Sequence, residues 1–241
     1  MSRSAVVIGV GARAGLGAAL CRRFAREGLH VFLAGRTGQT LGERAAELGG
    51  AEAATPVIAD ATVEADAVRL FDRVAERGGA PEIVVYNAGN NRFRPLLEMD
   101  VEFFEGLWRL CCLGGFLIGR EAARRMVPAG GGTLIFTGAT ASIRARPPFT
   151  AFASAKAALR ALAHGMAREF GAKGLHVGHV IIDGIIDGDA VNRRFPQLKA
   201  QRGEDGMLSP DAIADAYWAL HAQERSAWTL ELDLRPYKET F

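Results

Sequence analysis

The chain reads as one α/β domain built on a doubly wound parallel sheet of about seven strands with helices on both faces. Three observations predict it. Apolar, strand-like runs alternate with segments of helical periodicity along all 241 residues. The first run, Ala5-Val6-Val7-Ile8-Gly9-Val10, is β-branched and apolar enough to be buried on both faces. It leads directly into Gly11, Gly15 and Gly17 ahead of a helical segment, the order in which a strand turns into a helix around a phosphate.

In chain order, strand-like runs fall at 6–10, 30–34, 54–59, 83–86, 133–137, 176–182 and 229–234. Helical periodicity covers 16–27, 64–77, 101–126, 152–170 and 210–223. Right-handed crossovers then give a parallel sheet with a ligand crevice at the carboxyl ends of its strands. With no Pro/Ser-rich linker and no internal repeat, residues 1–241 are expected to form a single domain.

Composition narrows the function classes. Hydrophobic residues make up 49% of the chain, but charges interrupt them well short of the roughly 20 apolar residues a membrane span needs. The first strand begins near residue 5, so no signal peptide is expected. Cys21, Cys111 and Cys112 lack disulfide or metal-site spacing, and a cytoplasmic location with reduced thiols is expected. A formal net charge of +2, with no basic helix and no aromatic stacking ladder, excludes a nucleic-acid surface.

Four further segments carry chemistry. Tyr86-Asn87-Ala88-Gly89 follows the apolar Ile83-Val84-Val85; Asp60 closes Pro56-Val57-Ile58-Ala59; Gly114-Gly115-Phe116-Leu117 lies in the long helical segment; and Phe149-Thr150-Ala151-Phe152-Ala153-Ser154-Ala155-Lys156 opens a later helix. With the glycine turn they resemble, in order and over nearly the whole chain, the short-chain dehydrogenase/reductase family. The resemblance implies a Rossmann-type domain binding NAD(P). Gly11 is expected to allow a tight turn, Gly15 and Leu16 to approach a pyrophosphate, and Gly17 to pack the following helix closely. Asn87, Ala88 and Gly89 are expected to border the adenosine, and Asp60 to accept from the adenine amino group; Asp60 also reads as an ordinary helix cap. The sequence Ile181-Ile182-Asp183-Gly184-Ile185-Ile186 stands where the family has a proline-glycine stretch, with Gly184 and Ile186 beside the nicotinamide.

The end of the second strand selects the cofactor. An acidic residue there would chelate the ribose hydroxyls of NAD, but the chain has Gly35-Arg36. Arg36, with Arg13 of the glycine loop, favours the 2′-phosphate of NADP(H) over NAD(H).

The catalytic positions depart from the family. Its tyrosine is Phe152, its serine Ala139 after Gly138, and its asparagine Cys111; Lys156 alone remains. This resembles an atypical subgroup that keeps the lysine and has phenylalanine for tyrosine. A phenyl ring has no proton to give, so Lys156 is expected to hold the nicotinamide ribose, and Asp183 is either a substitute acid or a turn cap. His164, His176 and His179 are read as structural rather than catalytic or metal-binding, and no metal site is expected. Residues 188–208, with Gly203, Gly206 and the basic Arg193, Arg194, Lys199 and Arg202, correspond to a variable substrate lid. A homodimer or homotetramer follows by analogy, through the final strand and the two long helices. Two functions follow for a protein acting on a small molecule: an NADP(H)-dependent oxidoreductase with a non-standard proton pathway, or a catalytically silent NADP(H)-binding sensor or partner subunit.

Overall fold

A computed structural model describes residues 3–239. Its strands, β1 Ser4–Ile8, β2 His30–Gly35, β3 Ala54–Ile58, β4 Ile83–Tyr86, β5 Gly132–Thr137, β6 Leu175–Ile182 and β7 Glu231–Leu234, form an all-parallel sheet ordered β3-β2-β1-β4-β5-β6-β7. Both neighbours of β1 run parallel to it, with Val6 level with Phe32 of β2 and Val84 of β4. All five residues of β1 are buried, as a strand covered on both faces requires. The strand order reverses between β1 and β4, and the crevice opens there.

Two apolar layers flank the sheet. On one face, Val7, Leu33 and Val180 pack with α1 (Leu16–Arg26) and with α9 (Pro210–His221), through Leu20, Phe24, Ile213 and Tyr217. On the other, Val6, Val84 and Phe136 meet α3 (Glu64–Gly78), α5 (Gly114–Met126) and α6 (Thr150–Phe170), through Leu70, Ile118 and Leu159.

Four elements differ from the sequence reading. The first strand ends at Ile8 rather than residue 10, because Gly9 turns to φ 93° and takes the chain out of the ladder. A helix α2, Gly38–Glu47, occupies a stretch with no predicted element; it buries only Leu41 and Ala45, so its apolar period is faint. The last strand begins at Glu231, two residues later than read. The segment 101–126 is also not one regular helix. It runs as α4 (Val101–Trp108), a π-helical segment (Arg109–Leu113) and α5, and such segments gather at functional sites.

Tyr86 explains much of that last irregularity. Its fully buried hydroxyl donates to the Leu110 carbonyl inside the π segment. A Cβ at Gly114 would lie 2.3 Å from that hydroxyl, and one at Gly115 3.5 Å from the ring. Two glycines therefore make the room that an aromatic residue at position 86 demands.

Candidate active site

The glycine turn is the first wall of the site. Gly9, not Gly11, provides the tight turn, and a Cβ on Gly9 would strike the Ala88 backbone at 2.6 Å. Gly11 is not in the left-handed region, and a Cβ there would meet nothing within 4 Å. Gly17 packs as expected, since a Cβ would lie 2.5 Å from the Gly9 carbonyl oxygen. Asn87 Nδ2 donates to that same oxygen at 3.2 Å, tying β4 to the end of β1.

These residues line a crevice of about 790 Å³. Gly11, Arg13, Gly15, Leu16, Gly17, Arg36, Asp60, Asn87, Ala88, Gly89 and Ile186 all border it. Gly184 does not; it packs against Pro236, where a Cβ would approach Cδ to 2.7 Å. One carboxylate oxygen of Asp60 accepts from the amide and the hydroxyl of Thr62 at 2.9 and 2.8 Å, so this residue closes a turn while facing the crevice.

The crevice also has walls that the sequence pattern does not announce. Thr40, Glu43 and Arg44 enter it from α2. Arg44 and Arg13 share Glu47 at 3.0 and 3.4 Å, and Arg44 Nε is buried without a hydrogen-bond partner. Arg36, by contrast, has no ion-pair partner among the described residues. The segment 188–208 folds into α7 (Asp189–Arg194) and α8 (Leu198–Arg202), and Asp189 accepts from the Ala14 amide at 3.0 Å. That contact joins residues 175 positions apart, beyond the reach of any local pattern.

Beyond the crevice Cys111, Ala139 and Phe152 come together. Cys111, Phe152 and Ala155 form a buried apolar cluster, with Ala139 and Ala141 packed on it. Lys156 lies against it: Nζ is 5.8 Å from the centre of the Phe152 ring and donates to the Thr137 carbonyl at 2.7 Å. Burial pushes its pKa down. A Cβ on Gly89 would lie 3.3 Å from Nζ and 3.9 Å from Cys111 Sγ, so lysine and thiol face the same turn of β4.

Asp183, read as a substitute acid or a turn cap, is already engaged on both oxygens. Its buried carboxylate accepts from Thr140 Oγ1 at 2.6 Å and from Arg144 at 2.7 and 2.9 Å, with Arg235 3.6 Å away. Two guanidinium groups and a hydroxyl surround its oxygens, so the side chain ties the loops after β5, β6 and β7 together.

The other hydroxyls and histidines are committed as well. Thr137 Oγ1 accepts from Tyr217 at 2.9 Å, and Ser154 donates to the Ala151 carbonyl at 2.9 Å. Ser142 Oγ accepts from the Ala139 amide at 3.1 Å and lies 3.4 Å from His179 Nε2, whose Nδ1 is 3.1 Å from Glu231. Glu231 also accepts from two Arg160 nitrogens, Nε and Nη2, and lies 3.1 Å from His164. A partly buried polar chain thus runs from α6 through Glu231 and His179 to Ser142, which bonds the Ala139 amide. His176 stacks on Trp228 away from this chain. Among the described residues no group of three or more His, Cys, Asp or Glu is placed to hold a metal, and no helix is long and apolar enough to cross a membrane.

This polar chain fixes an acid limit on stability. Burial lowers His179 from 6.5 to about 4, and the Arg160 hydrogen bond leads in lowering Glu231 from 4.5 to about 2. Between pH 6.5 and 4 the unfolded chain binds a proton at His179 that the folded one refuses, so stability falls as pH falls; Glu231 continues the loss from 4.5 towards 2. The His179 share is about 3 kcal/mol, and desolvation shifts His30, His176 and His221 in the same direction. Urea unfolding at pH 7 and pH 4 is expected to show this drop, shallower in His179→Gln. An equal drop in that variant contradicts the assignment.

Comparison with known proteins agrees with this geometry. Residues 5–199 match the family model described as short chain dehydrogenase. "Uncharacterized oxidoreductase YuxG" of Bacillus subtilis (strain 168) is 34% identical over 220 residues, covering 90% of this chain. The chain spans 32% of that relative's length. A crystal structure of a short-chain dehydrogenase from Rhodopseudomonas palustris is 37% identical, with a TM-score of 0.83 over 98% of this chain and 99% of that one. A gluconate 5-dehydrogenase from Burkholderia cenocepacia J2315, solved in complex with NADP and tartrate, is 25% identical, with a TM-score of 0.83 over 98% of this chain and 95% of that one.

Proposed function

The chain belongs to the short-chain dehydrogenase family, and from that premise we propose that it is an NADP(H)-binding oxidoreductase in which Lys156 holds the cofactor and the family's proton relay has been replaced. The observation that carries the reading is the continuity of the crevice. It runs from the glycine turn, past an unpaired Arg36, to Gly89, against which the buried Lys156 lies, where the positions of three catalytic groups have become one apolar cluster. The crevice residues fit the cofactor: open space beside Gly11 for a pyrophosphate, Arg36 for a 2′-phosphate, and Lys156, with one acceptor for three N–H groups, for ribose hydroxyls. The relative solved with NADP supports the same choice.

When bound, the cofactor gives or takes the hydride. The chain's own contribution is positional. Gly9, Gly15 and Gly17 keep the turn close to the diphosphate path, Asn87 braces β4 against β1, and Lys156 fixes the ribose end. The proton comes from water or substrate, because Phe152, Ala139 and Cys111 present no relay and the Asp183 oxygens are occupied by Arg144 and Thr140. Residues 1–241 act as one cofactor-binding domain, with 188–208 as the lid over the substrate. Copies of the chain pair as a homodimer or homotetramer through the long helices, where a cavity of about 530 Å³ is lined by Phe116, Val127, Leu162, Met166 and Phe170.

Titration with NADPH and NADH tests the reading. The wild type is expected to bind NADPH tighter, and Arg36→Ala to lose about one to two decades of NADPH affinity while NADH binding is unchanged, the loss of a charge-assisted contact. Tighter NADH binding by the wild type overturns the cofactor choice. A second reading, an NADP(H)-binding protein without turnover, is favoured by the simultaneous loss of three relay groups. NADPH binding without consumption over a broad panel of carbonyls and activated alkenes would select it.

A further inference from the structure

Three loops leave the carboxyl ends of β4, β5 and β6 and meet above the apolar cluster of Cys111 and Phe152. The first two are tied by the Arg94 amide donating to the Pro148 carbonyl at 3.2 Å and by the rings of Phe93 and Phe149, 5.2 Å apart. The third joins them through Arg194, whose guanidinium lies 5.7 Å from the centre of Phe93 and 5.2 Å from that of Phe195. Phe93 and Phe195 are each 46% exposed. The middle loop also carries Ala139 and Ala141, which pack on the cluster itself.

Charge beside these rings is unevenly paired. Among the described residues Arg92, Arg146 and Arg194 have no carboxylate partner, whereas Arg94 pairs with Asp100 and Arg144 with Asp183. Asp187 is taken by Lys199 and Asp189 by the Ala14 amide; Glu98 is the unmatched acid beside the rings, while Glu204 and Asp205 lie past α8, where the Glu204 carbonyl accepts from Lys238. Beside the exposed rings the groups left without a carboxylate partner are therefore mostly positive. Unpaired guanidinium groups interleaved with exposed phenyl rings match a ligand that is apolar along its length and negative at one end.

We propose that Arg92, Arg146 and Arg194 recognise a negative group on the substrate, so that the site takes an apolar carbonyl compound or alcohol bearing a phosphate or carboxylate. The inference rests on the oxidoreductase reading for what happens at the inner end of that ligand. It stands apart from it in what is measured.

The test uses the full chain saturated with NADPH, titrated by calorimetry with octyl phosphate, octanoate and 1-octanol. Both anions are expected to bind about tenfold tighter than the alcohol, and to weaken about fivefold between about 50 mM and about 500 mM salt while the alcohol does not. The triple variant Arg92→Ala, Arg146→Ala, Arg194→Ala is expected to remove the anion preference and leave NADPH affinity as it was. Tighter phosphate binding assigns a phosphorylated substrate, and tighter octanoate a carboxylic acid. Equal affinity for all three probes overturns the proposal, as does an anion preference that survives the triple change. Should the variant not fold, the salt dependence of the wild type decides: anion binding that does not weaken with salt overturns the proposal. If NADPH itself fails to bind, the cofactor reading falls, and the anion preference is measured on the protein alone.

Discussion

Lys156→Ala is expected to lower NADPH affinity by about one to two decades, the loss of a charge-assisted contact to the cofactor ribose, while the fold stays intact. The ammonium is buried with a single acceptor, the Thr137 carbonyl. Burial already lowers its pKa, so the protein bears a desolvation cost at this position. Holding an ammonium there without a ligand to share it makes no sense for stability alone. Lys156→Met, which keeps most of the packing volume and removes the charge, separates the two roles. It is expected to match the alanine variant in cofactor affinity and the wild type in thermal unfolding. Fluorescence titration with NADPH, paired with melting curves, reads both, and wild-type affinity in Lys156→Met would remove Lys156 from the cofactor site.

The parts of the fold legible in the sequence are those where local pattern and burial coincide. β1, β4 and the other inner strands are continuous apolar runs because both faces are covered, and α3 and α6 keep a clear apolar period. α2 is not legible, since two buried residues in ten leave no period to find. With it, Glu43 and Arg44 stay hidden from any sequence-based reading of the cofactor wall. The π segment is equally hidden, because a one-residue widening changes no composition. Only the joint presence of Tyr86 with Gly114 and Gly115 signals it, and that signal is non-local.

At the site, the glycine turn is legible as a motif, yet the residue that makes the turn is Gly9, one position past the strand end. Motif spacing identifies a loop more securely than the φ angle within it. Asp183 reads as a possible acid for a related reason. Its partners Thr140, Arg144 and Arg235 lie 43, 39 and 52 positions away, and only the ends of β5, β6 and β7 bring them together. Whether a buried carboxyl can donate a proton is set by such partners.

The last expected result separates one missing part from a rebuilt pocket. Phe152→Tyr places a hydroxyl on a ring whose centre is 5.8 Å from the Lys156 ammonium, where a neighbouring positive charge would lower its pKa. If tyrosine alone were lacking, carbonyl reduction would return. It is expected not to return. Ala139 and Ala141 pack against Cys111 and Phe152, and neither carries a hydroxyl to orient a substrate oxygen. Ser142, which follows Ala141, is buried and accepts from the Ala139 amide, with its other side towards His179. Catalytic groups acting as a unit are strongly non-additive, and one restored member recovers little. Cys111→Asn, Ala139→Ser and Phe152→Tyr together are expected to exceed the single variant by about 10²-fold or more in NADPH consumption, the scale of positioned acid catalysis. Kinetics of both variants over one carbonyl panel, at matched NADPH occupancy, decide between the views. Strong turnover from Phe152→Tyr alone would mean that the pocket still orients a carbonyl and that only the proton donor was lost.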